Sequence, residues 1–330
     1  MSEHITSRSD RDSADVGDVN QLPLTQPKVS DDISLVVGAN RVPFIISRKA
    51  LALAGPMLAM ALSESLQTVV PDVHSVEWPE ESPYAVEIVL NILNGHFKKI
   101  PQCSLSLEQL SALAKFVDKF EIQSTISPFY RKWVQDLDQE LSCAEDPAHF
   151  KIYWAFGLES YFSSLAHTMV LHTHETDNSY DIRMHIESLK KIDAPPRIIS
   201  NILKIRQDAI GRVLQCLSSR ISRAYSGVDC STSHRKDKCY TITMGCITKA
   251  LLLKGLWPIP KAKDVKHSLL YLCQEVKKIK AIPYQDSTNV HAGCAYKFKL
   301  KSDMVTILDH LPSPLDNGHQ IYFREVAKRL

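Results

Sequence analysis

The first 27 residues of the chain are rich in Ser and Asp and hold few large apolar side chains, and Pro23 and Pro27 close the stretch. So little apolar surface cannot offset the entropy of ordering, which predicts a disordered tail over 1–27. The pattern then changes. The run Asp31-Asp32-Ile33-Ser34-Leu35-Val36-Val37 is rich in β-branched residues and stops at Gly38-Ala39-Asn40, which reads as a strand and a turn. Residues 42–46 return as a second strand. Ser47 is placed to cap a short helix over 48–54, Gly55-Pro56 interrupts it, and 57–62 predicts another. Ser75-Val76-Glu77-Trp78-Pro79 predicts a short third strand.

From there the apolar spacing is helical. Ser82-Pro83 marks a helix start, Tyr84, Ile88 and Ile92 follow with Val89 and Leu93 beside them, and Asn94-Gly95 ends the run. Ser106 is a second start, with Leu107, Leu110, Leu113, Ala114 and Val117 on one face. Ile126, Phe129, Tyr130, Trp133 and Leu137 predict a further helix with one apolar stripe. Asp146-Pro147 starts a helix through Trp154 and Phe156, and 161–173 predicts another. After Ala194-Pro195-Pro196, the residues Ile198, Ile202, Ile205, Ala209, Val213, Cys216/Leu217 and Ile221 trace one narrow stripe over about seven turns. It lacks a sustained heptad, so a core helix is predicted rather than a coiled-coil seam.

Strands come first and helices after, which predicts an α+β fold rather than a doubly wound α/β sheet. These residues resemble the BTB/POZ family. The resemblance lies in Asp32-Ile33-Ser34-Leu35-Val36-Val37-Gly38 and Val42-Pro43-Phe44-Ile45-Ile46-Ser47-Arg48-Lys49-Ala50-Leu51, in Pro56-Met57-Leu58-Ala59-Met60, and in Ala112-Leu113-Ala114-Lys115-Phe116-Val117-Asp118-Lys119-Phe120 with the later Trp133. Gly55 stands where the family usually has Ser. Beyond residue 140 the chain is similar to BTB/POZ proteins of filamentous fungi. The similar segments are Cys239, Gly245-Cys246-Ile247-Thr248-Lys249-Ala250-Leu251, Gly255-Leu256-Trp257-Pro258-Ile259-Pro260, His291-Ala292-Gly293-Cys294 and His319. The division this implies is a tail over 1–27, a BTB/POZ-like unit of a small sheet with packed helices over 28–140, a helical region over 141–226, and a Cys/His-containing region over 227–330.

Composition narrows the partners. The 39 basic and 37 acidic residues balance overall. Residues 228–330, however, hold 17 Lys and Arg against nine Asp and Glu, an excess of eight, which permits contact with an acidic partner or nucleic acid. The lysines are scattered, so a solvated basic face is the plainer reading. Residues 1–20 contain no apolar leader, no window approaches the ~18 apolar residues of a membrane span, and no Asn-x-Ser/Thr site occurs. Eight cysteines in 330 residues fall far short of a disulfide scaffold. These features predict an intracellular protein, cytoplasmic or nuclear, with core or metal-bound thiols.

One candidate chemical site emerges. Cys230, His234, Cys239 and Cys246 lie close in sequence, and His291 and Cys294 follow about fifty residues on. Zinc favours thiolate and imidazole, and structural sites draw ligand pairs from two turns, so Cys230, Cys239, His291 and Cys294 form a candidate structural zinc site. Free core cysteines are the competing reading. His172-x-His174-Glu175 reads as a solvated loop. No two glycines stand one residue apart, which excludes a dinucleotide loop, and the phosphate loop, His-Glu-x-x-His and Gly-x-Ser-x-Gly are all absent.

The expectation is a non-enzymatic protein-interaction module. The BTB/POZ resemblance implies protein partners and a homodimer through an apolar surface that includes Leu51, Leu53, Met57, Leu58 and Met60. It also implies a cullin scaffold as partner for an adaptor in a ubiquitin ligase, although His96-Phe97-Lys98-Lys99-Ile100 lacks the family's contact motif there. The alternative is a transcriptional regulator with a basic, zinc-stabilised C-terminal region. No tandem finger and no Arg-dense helix argues for nucleic acid.

Overall fold

The computed structural model describes residues 32–47, 49–50, 54–67, 75–135, 146–147, 149–176, 182–227, 230, 235–282, 284, 291, 294 and 300–330; the predicted tail, Leu51 and Leu53 lie outside them. Strand β1 (Asp32–Val37) pairs antiparallel with β2 (Val42–Ser47), so that Ile33 faces Ile46 and Leu35 faces Phe44. Strand β3 (Ser75–Trp78) lies parallel to β1 on its other side, giving the order β2-β1-β3. A parallel return needs a crossover, and helix α1 (Pro56–Gln67) lies within it, running five residues past the predicted end. The sheet is one-sided. Ile33, Leu35, Val37, Ile46, Val76 and Trp78 are buried, while Ile45 on the other face is 76% exposed.

The buried face is covered by α2 (Pro83–Leu93) and α3 (Leu107–Phe120). Helix α2 has Pro83 in its first turn, and α3 opens on a capping box between Ser106 and Gln109. Leu110, Leu113, Ala114, Val117 and Phe120 turn inward at helical spacing, and Trp78 stacks on Phe120 with ring centroids 5.2 Å apart. The predicted helix from Ile126 onward is broken into two short pieces, α4 (Gln123–Ile126) and α5 (Tyr130–Trp133). Pro128 stands between them and has no N–H to carry the ladder across. Trp133 is nevertheless fully buried and donates its indole N–H to the Pro101 carbonyl at 2.9 Å. Leu137 lies outside the described residues.

The rest of the described chain is mainly helical. It comprises α6 (His149–Ala155), α7 (Glu159–His172), α8 (Ile186–Leu189), α9 (Ile198–Tyr225), α10 (Lys236–Leu253), α11 (Leu269–Lys277), α12 (Leu300–Asp309) and α13 (Asn317–Arg329). Helix α9 spans 28 residues and is a core helix: Ile198, Ile202, Ile205, Ala209, Val213 and Leu217 are buried, and so are Ile210 and Leu214 beside them. Arg206 is buried in the same helix. It donates from Nε to the Thr173 carbonyl at 2.8 Å and from Nη2 to the Val265 and His267 carbonyls at 3.1 and 2.9 Å. The 172–175 segment is therefore not a solvated loop. His174 is buried and its backbone bridges to Met184 and Ile186. Buried backbone must find partners, and this stretch finds them in the 182–186 turn and in Arg206.

Helix α13 returns to the N-terminal unit. Tyr322 stacks flat on Trp154 of α6 with centroids 3.6 Å apart, and its hydroxyl donates to Asp118 on α3 at 3.0 Å. Burial and that carboxylate push the Tyr322 phenol well above its usual range. Lys151 reaches Asp118 from α6 at 2.7 Å, and Ser127 bonds the Leu330 carbonyl. At Gly157, φ is +65° and an added Cβ would meet Val326 at 2.8 Å, so the turn after α6 admits α13 only because the residue is glycine.

Two substitutions test this frame. Arg206→Met leaves two buried carbonyls and one part-buried carbonyl short of a donor and is expected to lower unfolding stability by roughly 3 kcal/mol. Gly157→Ala combines left-handed strain with the Val326 clash and is expected to cost more than about 1 kcal/mol. Urea denaturation followed by circular dichroism measures both, and unchanged midpoints would contradict the packing described.

Candidate metal centre

Four side chains from three separate turns converge at the end of α9. Gly227 closes that helix with φ +65°, and the Cys230 N–H bonds the Gly227 carbonyl at 3.1 Å. Arg235 adopts left-handed φ and ψ just before α10, which brings Cys239 round on the first turn of that helix. The third element is the turn His291-x-x-Cys294, closed by the Cys294 N–H on the His291 carbonyl at 2.9 Å. The ligating atoms of Cys230, Cys239, His291 and Cys294 all lie within 4.8 Å of one another. His291 Nδ1 stands 3.4 Å from Cys230 Sγ and 3.9 Å from Cys294 Sγ. His291 and Cys239 are fully buried, Cys230 is 9% exposed, and Cys294 is half-buried.

The four residues singled out from sequence are thus the four that come together, and the cluster can chelate a metal ion. His234 lies outside the described residues, and Cys246 sits two turns further along α10, half-buried and not part of the cluster. His319 is elsewhere. It forms a capping box with Asp316 at the start of α13, and its Nε2 lies 3.0 Å from the Pro196 carbonyl. The Asp316 carboxyl is held below its usual range by the His319 backbone N–H.

A second layer was not legible in sequence. The Tyr284 ring packs edge-on to His291 at 5.4 Å, its hydroxyl accepts from Arg235 Nη1 at 2.8 Å, and its backbone bonds the Cys239 sulfur. Neither Tyr284 nor Arg235 belongs to a periodic pattern or a ligand spacing, so only the folded chain reveals them. The thiols meanwhile crowd one another. Burial raises the Cys239 thiol, and burial with hydrogen bonds to Cys230 and Cys239 pushes Cys294 up to about 12. A bound divalent ion works against that burial effect, because it ligates the thiolate form.

The predicted interaction surface fares unevenly. Leu58 is fully buried and packs in the chain's own core rather than on the surface. Met57 and Met60 are 37% and 53% exposed on α1. No helix among the described residues is long and apolar enough to cross a membrane.

Comparison of the chain with protein-family models, with curated proteins and with solved structures found no match.

Because thiols must lose protons to bind metal, apparent affinity for a divalent ion is expected to rise with pH. Titration with a chromophoric zinc competitor between about pH 6 and 8 should give a slope approaching three protons per ion. A slope of zero would show that no thiol takes part.

Proposed function

We propose that the chain is a non-catalytic regulatory protein of the transcriptional-regulator type. In this reading a basic C-terminal region, stabilised by a metal ion at the Cys/His cluster, binds an acidic partner, double-stranded DNA first among them. The observation that carries it is the closed donor set. Catalytic zinc sites keep one position open for water or substrate, whereas here four protein donors converge, the number a closed structural site uses. The set lies in the region with eight more basic than acidic residues, and Arg235, Lys236 and Lys238 precede Cys239 within four positions, with Asp237 among them. Such an excess favours polyanions through counterion release.

A second reading is favoured by the sheet. A hairpin followed by a parallel third strand in the order β2-β1-β3, with helices on one face, supports the BTB/POZ-like interpretation of the N-terminal unit. On that reading the unit self-associates or binds partner proteins, a cullin scaffold among them, using the exposed Met57 and Met60.

Fluorescence anisotropy with mixed-sequence duplex DNA tests the first reading. Binding by the full chain is expected to fall linearly in log–log form with salt, by about 0.9 per phosphate neutralised, and to weaken after chelation. Absence of salt-sensitive binding removes the regulator reading. Light scattering that finds only monomer at micromolar concentration removes the self-associating one.

A further inference from the structure

We infer that Cys230, Cys239, His291 and Cys294 bind one Zn²⁺ ion in a closed Cys₃His tetrahedron, and that this ion clasps the connection between α11 and α12 to the ends of α9 and α10. The inference takes up the metal centre on which the regulatory reading draws, but needs neither DNA nor any other partner.

The geometry carries the assignment. With Zn–S bonds of about 2.3 Å and Zn–N of about 2.0–2.1 Å, donors around a tetrahedral zinc stand about 3.5–3.8 Å apart. The two sulfur–Nδ1 separations, 3.4 and 3.9 Å, bracket that range, and no pair in the set exceeds 4.8 Å. Side-chain shifts of no more than about 1 Å therefore seat the ion. A small cavity of about 20 Å³ borders three of the four donors, Cys230, Cys239 and Cys294, which is room for one small sphere. Such close donors suit a single ion rather than a multi-iron cluster, whose ligands are spread over several metals. The set holds no carboxylate or carbonyl oxygen, so it does not suit Ca²⁺ or Mg²⁺. Soft thiolates with one imidazole in a tetrahedron select zinc.

Charge and packing agree. Three thiolates and a neutral imidazole on a divalent ion leave a net charge of −1, and Arg235, at the N-terminal end of α10, bonds the hydroxyl of the Tyr284 ring that packs on His291. Helix α10 buries only Cys239, Thr243, Ile247 and Leu251, one residue per turn along a single stripe. Its first anchor is itself a ligand, so the attachment of α10 to α9 begins at the metal. The ion also ties Cys239 to His291 across fifty-one intervening residues, and closing so long a loop makes metal affinity into folding free energy.

Metal analysis of the full chain purified without chelator is expected to give about one zinc per molecule. Replacement by Co²⁺ should produce the intense visible bands of a tetrahedral ion together with thiolate-to-cobalt charge transfer. Cys239→Ser and His291→Ala should lose the metal, while Cys103→Ser and Cys246→Ser retain it. Chelation of the wild-type protein should remove a thermal transition that zinc restores. Where a ligand variant fails to fold, Cys294→His decides: retained zinc with weakened charge transfer supports the site, and an unchanged cobalt spectrum overturns it. Folded wild-type protein that holds no zinc and takes up neither Zn²⁺ nor Co²⁺ also overturns it, even if DNA is bound. Zinc without DNA binding upholds the site and removes only the regulatory reading.

Discussion

The guanidinium of Arg206 holds the helical half of the molecule in register. It lies buried in the longest helix among the described residues and satisfies three backbone carbonyls from two distant segments, at Thr173 and at Val265 and His267. Burial lowers its pKa, yet an arginine keeps its charge in such a place because the proton is held so tightly. A charge in the core is tolerated only when its hydrogen bonds are made, and here they are made to backbone. The turns that bracket α7 and α11 are thereby fixed against one face of α9, and the end of that helix is delivered to the place where Cys230 begins the metal cluster.

A second constraint joins the sheet-bearing unit to helix α13. Asp118 on α3 receives Lys151 from α6 and the Tyr322 hydroxyl from α13, while Tyr322 lies flat on Trp154. Each contact is modest alone, but the two share one partly buried carboxylate beside the aromatic stack. One consequence concerns surfaces. The face of α3 that looks away from the sheet is occupied by the chain's own later helices, whereas α1 keeps exposed methionines at its start.

At the Cys/His cluster the balance of forces is reversed by an ion. Burial raises the Cys239 and Cys294 thiols, and buried thiols by themselves contribute little beyond ordinary packing. A divalent cation turns the same crowding into ligation. Tyr284 and Arg235 then matter as orienting groups, since a histidine ligand binds well only when its ring is held.

The sequence alone determined most of the local structure. Proline at the first turn of α2, the Ser106 cap and the spacing of isoleucines along α9 are short-range signals, and short-range physics suffices to read them. Residue chemistry likewise singled out the four metal-binding candidates, because thiolate and imidazole are rare donors and their grouping stands out. The break at Pro128 was legible in principle but was outweighed by the apolar stripe running through it. What only the tertiary structure decided was convergence. Whether Cys239 meets His291 rather than Cys246 or His319, which side of α1 is covered, and where Arg206 finds three carbonyls all depend on contacts between residues far apart in the chain. No periodicity encodes such contacts; they follow from packing whole elements together.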